Sequence, residues 1–170
     1  MTRNTLELYL VRHAIAADRG KAWPNDDARP LTREGIRRFK DVVKGLVRLD
    51  VELDLILTSP LTRAEQTAEL LSAGLRGKPT LKVVKALAPG TPPADVVSAL
   101  FGSAKQRRLA VVGHEPDLGQ LAAFLIGIRR PILFKKGGVC RIDLPAVMVR
   151  SRGTLIWFAT PKLLRLIGRP

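Results

Sequence analysis

The sequence predicts an α/β fold, a single three-layer domain over residues 1–170 with a mostly parallel central sheet and helices on both faces. Short β-like runs alternate with helical patterns along the chain, the signature of parallel strands joined by crossing helices. The 170 residues are the size of one domain, and a 46% hydrophobic content is enough for one substantial core. No internal repeat or low-complexity linker breaks the alternation.

Residues 6–12 (LELYLVR) read as the first strand. Residues 18–31 form a polar loop with Gly20, Pro24, Asn25 and Pro30. A helix follows near Thr32, where Ile36, Phe39, Val43 and Leu46 step by three, four and three and so share one face. Residues 53–58 (LDLILT) make a second strand, stopped by Ser59-Pro60. The next helix opens with Thr62-x-x-Glu65, a capping-box pattern, and turns Ala64, Ala68, Leu71 and Leu75 to one side. Residues 81–84 form a short third strand. Thr91-Pro92-Pro93 starts a helix near Ala94, because proline suits a first turn. After a fourth strand at 109–112, Pro116 opens a helix with Leu118, Leu121, Ala122 and Leu125 on one face. Residues 139–144 and 154–159 form a terminal strand pair whose turn is marked by Gly153 and its polar neighbours. Leu163, Leu164 and Ile167 make the last ten residues a short amphipathic helix.

Composition narrows the function classes. The one cysteine, Cys140, has no intramolecular disulfide partner, lies in an apolar strand and reads as inert core in a reducing compartment. The apolar run at 8–11 is too short for a signal peptide, and no stretch approaches the roughly 18 apolar residues that span a bilayer. The expectation is a soluble, cytoplasmic protein. Two histidines without a cysteine cluster argue against structural zinc. Trp23 and Trp157 are too isolated to stack single-stranded bases. The net charge is +14, and residues 129–170 alone hold 10 basic and 1 acidic residue, a net of +9. Such an end attracts anions of many kinds, and equally serves as a solvated basic surface.

The two histidines each follow a predicted strand directly: His13 ends LYLVRH and His114 ends LAVVGH. In open α/β sheets, ligands bind at that carboxyl edge. Arg63 lies at the start of a helix, five residues past the second strand. A parallel sheet therefore delivers Arg12, His13, Arg63 and His114 to one rim. Two guanidinium forks match phosphate oxygens, and a helix N-terminus adds backbone N–H donors. A neutral imidazole can attack phosphorus, and a second one can hold charge or pass protons. Cationic side chains can stand in for a metal, so no cofactor is expected. Taken singly, each residue has a plain structural reading, as a strand end, a cap or an exposed first-turn residue. Lys135-Lys136-Gly137-Gly138 reads as a turn between helix and strand that could also approach an anion at the rim.

LVRHA at 10–14, TSPLTRAEQTA at 58–68 and GHEP at 113–116 resemble the three signatures of the histidine phosphatase superfamily, which also contains the phosphoglycerate mutases. RPLT at 29–32, followed by Gly35, extends the likeness, which runs from Leu6 to about Ile126. Within the superfamily the short chain most resembles the compact phosphohistidine phosphatases of the SixA type, with no room for a helical lid insertion. The resemblance implies a phosphoglycerate mutase-like fold in which His13 becomes phosphorylated. It further implies that Arg12 and Arg63 clamp the phosphoryl oxygens and that His114 stabilises the transition state.

One departure bears on substrate. Mutases and acid phosphatases of the superfamily add a carboxylic acid, often after the third strand, to protonate the leaving oxygen. Here that region reads KALAPGTPP, with no carboxylate between Glu69 and Asp95. Asp18 and Glu115 are possible substitutes, with solvated-loop and helix-dipole readings beside them. An imidazole leaves phosphorus more easily than an alcohol, so the missing acid suits phosphohistidine on an acidic partner protein. A broad phosphomonoesterase on small molecules, or a basic anion-binding module with vestigial activity, are the alternatives. Nucleic acid is not the expected partner.

Overall fold

Strand β1 (Thr5–Arg12) sends Leu8 and Leu10 to one face of a sheet and Tyr9 and Val11 to the other. All four are buried, as expected where helices cover both faces of a parallel sheet. The computed structural model describes residues 5–101, 106–145 and 152–169. The remaining elements are α1 (Arg33–Arg48), β2 (Leu55–Thr58), α2 (Thr62–Gly74), β3 (Thr80–Val83) and α3 (Pro93–Phe101), then β4 (Arg108–Gly113), α4 (Asp117–Ile126), β5 (Val139–Pro145), β6 (Thr154–Ala159) and α5 (Pro161–Ile167). The sheet order is β3-β2-β4-β1-β5-β6. Strands β1 to β4 run parallel, while β5 is antiparallel to both β1 and β6.

One face packs Phe39, Val42, Val43 and Leu46 of α1, Ala64, Ala68 and Leu71 of α2, and Leu164 of α5. The other packs Val96 and Leu100 of α3 with Leu118, Leu121, Ala122 and Leu125 of α4. Cys140 lies in this second layer with no exposure, and burial raises its thiol to about 12, so it is inert there. The three-layer α/β reading therefore holds.

The structure refines several boundaries. The Thr62-x-x-Glu65 capping box does not form. Leu61 is the N-cap, without a side-chain cap bond, and its carbonyl accepts from Ala64 N and Glu65 N at 2.8 and 3.1 Å. Thr62 is thus already inside the first turn. Thr32 does cap α1, its hydroxyl accepting from Gly35 N at 2.9 Å. Strand β3 lies one residue earlier than its apolar letters suggest, because it pairs from Thr80 opposite Leu55. The expected turn around Gly153 falls largely outside the described residues, as does Arg150. Among the described residues no helix is long and apolar enough to cross a membrane.

Candidate active site

Register brings three strand ends together. Arg12 pairs with Gly113 between β1 and β4, and Thr58 pairs with Val112 between β2 and β4. The next residues continue the ladder: His13 N donates to Gly113 O and Ser59 N to Val112 O, both at 3.0 Å. His13, His114 and Ser59 are thereby neighbours at the carboxyl edge, and α2, starting just after Ser59, carries Arg63 to the same place. Thr67, one turn on, accepts from Ala14 N at 3.0 Å and donates to Arg63 O at 2.6 Å, tying α2 to the residue after His13.

His13, Arg63 and His114 are 6%, 3% and 4% exposed. The two rings lie 5.1 Å apart between centroids, tilted by 52°. Nδ1 of His13 is 2.7 Å from Ala14 O. A carbonyl only accepts, so Nδ1 carries the proton and the lone pair of the neutral ring is on Nε2. Burial, against the Ala14 bond and with help from Arg63, Arg12 and Lys136, lowers the His13 pKa to about 4. Burial and then the charges of His13, Arg63 and Arg12 lower His114 to about 3. Both rings are therefore neutral at neutral pH, the form a nucleophile needs.

His114 Nε2 lies 2.8 Å from Ser59 Oγ, which also accepts from Leu61 N at 3.3 Å. A serine hydroxyl that accepts from Leu61 N can still either donate to Nε2 or accept from it, and where it donates the His114 proton is on Nδ1. Nδ1 of His114, Nε of Arg12 and Nε of Arg63 are the three buried side-chain polar atoms without a partner among the described residues. Buried unpaired polar groups cost about 1–3 kcal/mol each, so three of them on residues of one rim call for a partner.

Both arginines are braced. Arg12 Nη1 donates to Phe134 O at 2.6 Å. Arg63 Nη1 donates to Asp26 O at 2.7 Å and Nη2 to Asp26 Oδ2 at 3.0 Å. Asp26 also meets Arg29 and Arg19, at 3.0 and 2.9 Å. Burial pushes its carboxyl up, but the Arg29 hydrogen bond and the charges of Arg63, Arg29 and Arg19 outweigh that and hold it below the usual carboxylate range.

The sequence singled out Arg12, His13, Arg63 and His114, and the structure brings all four together. It does not bring Asp18 in: that residue is exposed in the loop. Glu115 turns its carboxylate to Phe134 N, 3.1 Å away. Ser59, Thr67 and Asp26 were missed. The first two stood inside the quoted motif, where their hydroxyls were available as a signal. Asp26 sits three residues before Arg29 of RPLT in a loop rich in charge, which gave none. Lys136–Gly137 is a turn, as read, and Lys136 also lies near enough to His13 to act on its charge. Cavity size does not locate this chemistry: a cleft of about 530 Å³ between α1 and α2 holds no histidine. Among the described residues no group of three or more His, Cys, Asp or Glu could hold a metal ion.

Comparison with known proteins places the family and the fold. Residues 8–88 match the family described as the histidine phosphatase superfamily (branch 1). An uncharacterized protein of Picosynechococcus sp. is 38% identical, over 94% of this chain and 99% of its own. Phosphohistidine phosphatase SixA of Escherichia coli K12 is 29% identical, over 95% of this chain and 98% of its own. The solved structure of the protein histidine phosphatase SixA complexed with tungstate superposes with a TM-score of 0.82 at 26% identity, covering 92% of this chain and 98% of that one. The chain belongs to the histidine phosphatase superfamily and is SixA-like in size and fold.

Proposed function

We propose that this phosphatase hydrolyses phosphohistidine on a partner protein through a covalent phospho-His13 intermediate, without a metal. The observation that carries the reading is the trio of buried, unpartnered nitrogens on Arg12, Arg63 and His114 beside a neutral His13. A transferring phosphoryl group has three equatorial oxygens, and these donors supply what it lacks in charge balance.

His13 Nε2 attacks phosphorus while the P–N bond to the substrate imidazole breaks. The departing nitrogen keeps the bonding pair and takes a proton from water. Water then adds to phosphorus, the P–Nε2 pair returns to His13, and the water's second proton leaves to solvent. Arg12 and Arg63 hold the oxygens throughout, and His114 Nδ1–H donates to one of them. Asp26, the carboxyl at the Arg63 clamp, is held ionised and cannot protonate a leaving group. A leaving imidazole tolerates that; a leaving alkoxide does not. Small esters are the second reading, favoured by Glu115, whose carboxyl lies near Arg12 and whose pKa burial raises.

The partner is an acidic protein in the cytoplasm. A cleft of about 360 Å³ next to His13 has Phe39, Val42 and Pro161 as apolar wall and Arg38, Lys135, Lys136 and Arg165 as cationic wall. Its chemistry complements an acidic chain flanking the phosphorylated residue.

The test compares phosphohistidine, phosphoserine and nitrophenyl phosphate. General-acid help is typically worth about 10²–10⁴-fold, so phosphohistidine should exceed phosphoserine in kcat/KM by at least about a hundredfold. His13→Ala should lose the labelled intermediate and nearly all turnover, while chelators leave the wild type unchanged. Equal rates on phosphoserine and phosphohistidine would move the assignment to the general phosphatase; activity lost to chelator and restored by magnesium would overturn the metal-free site.

A further inference from the structure

The geometry points to Glu115 as a positioning residue for Arg12, acting through Phe134. The inference rests on Arg12 being part of the phosphoryl clamp. A long guanidinium side chain is useful there only if its donors are aimed. Arg12 Nη1 is committed to Phe134 O at 2.6 Å, and Nε is the buried atom left for the phosphoryl group. Whatever fixes Phe134 therefore fixes where Nε points.

Phe134 lies in the connection between α4 and β5, which belongs to no strand. No sheet ladder holds it. Its N–H donates instead to Glu115 Oε1 at 3.1 Å, and its ring, 2% exposed, packs edge-on to Phe158 at 5.1 Å. The surrounding segment is seated on α4: Ile132 N donates to Gly119 O at 3.3 Å. A Cβ at Gly119 would lie 2.3 Å from Ile132 O and 3.1 Å from Glu115 Oε2, so glycine there leaves room for both the segment and the carboxylate. The Glu115 charge also opposes the burial that weakens the Arg12 guanidinium. Glu115 directly follows His114, so the end of β4 carries both a site histidine and the brace for the arginine on β1. This role differs from proton donation: the carboxylate is engaged by a backbone N–H and faces Arg12.

The experiment measures vanadate affinity and nitrophenyl phosphate turnover in wild type, Glu115→Ala, Glu115→Gln, Arg12→Ala and the Arg12→Ala/Glu115→Ala double variant. Glu115→Ala should weaken vanadate binding and lower kcat/KM by about ten- to a hundredfold, the range for coupled neighbours. Glu115→Gln keeps an acceptor for Phe134 N and should stay within about threefold of wild type. In the Arg12→Ala background, removing Glu115 should cost less than about twofold more. Gly119→Ala, which crowds the same carboxylate, should reproduce the vanadate defect should Glu115→Ala fail to fold. Four results would overturn the proposal. Glu115→Gln as damaging as Glu115→Ala would make Glu115 a proton donor. An undiminished Glu115→Ala effect without Arg12 would make it a fold residue. Wild-type vanadate affinity in Arg12→Ala would sink the clamp itself along with its brace, whereas a defect there with none in Glu115→Ala leaves the clamp standing and removes only the brace.

Discussion

At the residue scale, the site works because neighbours decide which nitrogen of each ring is free. Ala14 O fixes the proton of His13 on Nδ1, and Ser59 Oγ occupies Nε2 of His114. Ser59→Ala removes the second of these locks. It should lower kcat/KM by about tenfold, in line with a lost buried hydrogen bond, and shift the His114 tautomer balance seen by ¹⁵N NMR. Unchanged turnover and an unchanged tautomer would show that Ser59 only ends β2. Arg63→Ala should cost about 10²–10³ in kcat, since such donors act on transition-state charge. Arg63→Lys should not restore it, because an ammonium cannot both hold Asp26 and present a fork. A lysine variant as active as wild type would mean that charge alone matters here. The residues that carry the site were legible where their meaning is local: an arginine and histidine closing a strand, a glycine and histidine closing another. Asp26 was illegible because its meaning lies in Arg63, 37 residues away, and an aspartate in a polar loop looks like a solvated charge.

At the element scale, hydrophobic runs and periods placed the strands and most of the helices, with α3 read from its prolines, since both faces of the sheet are buried and the helices turn an apolar side to it. What they could not place were ends set by tertiary partners. Strand β3 starts at Thr80 because Leu55 is there to pair with, and the first turn of α2 closes on Leu61 rather than on the Thr62 side chain. The same limit applies to helix contacts. Gly45 in α1 reads as an ordinary weak point of a helix, yet a Cβ there would lie 2.1 Å from Leu164 O of α5. Gly45→Ala should therefore destabilise the protein by about 1–3 kcal/mol through overpacking, despite alanine's better helix propensity. Thermal unfolding reads this directly. A rise in Tm would mean that α5 is not seated on α1 as described.

At the scale of the whole molecule, charge and protonation act together. The chain carries +14, and its basic end reaches the site through Lys135 and Lys136. Neutralising Lys135, Lys136, Arg150 and Arg152 together should raise KM for an acidic phosphoprotein more than for nitrophenyl phosphate. The difference should fade with salt as screening shortens to about 3 Å at 1 M. Equal effects on both substrates would assign these residues to the pocket. The site also makes folding itself depend on pH. His13 and His114 sit near 4 and 3 in the folded protein, below the imidazole's ordinary value of 6.5, because both rings are buried among cations. Their folded pKa values are depressed, so the unfolded chain binds more protons between those values and about 6.5, and stability rises with pH there. The contribution is complete above 6.5 and is lost as pH falls toward 4 and 3. Asp26, Asp41 and Asp54, held below the usual carboxylate range, act in the same direction only at lower pH, below about 5. Glu115, whose pKa burial raises, acts the other way, so the histidines lower stability against it as pH falls across the interval from about 6.5 to 5. Tm should decline across it, and His114→Asn should flatten the decline. A Tm that stays level from 6.5 to 5 would mean that the rings titrate in the folded protein as they do in the unfolded chain, and the lone pair proposed for attack on phosphorus would then be lost as pH falls through about 6.5.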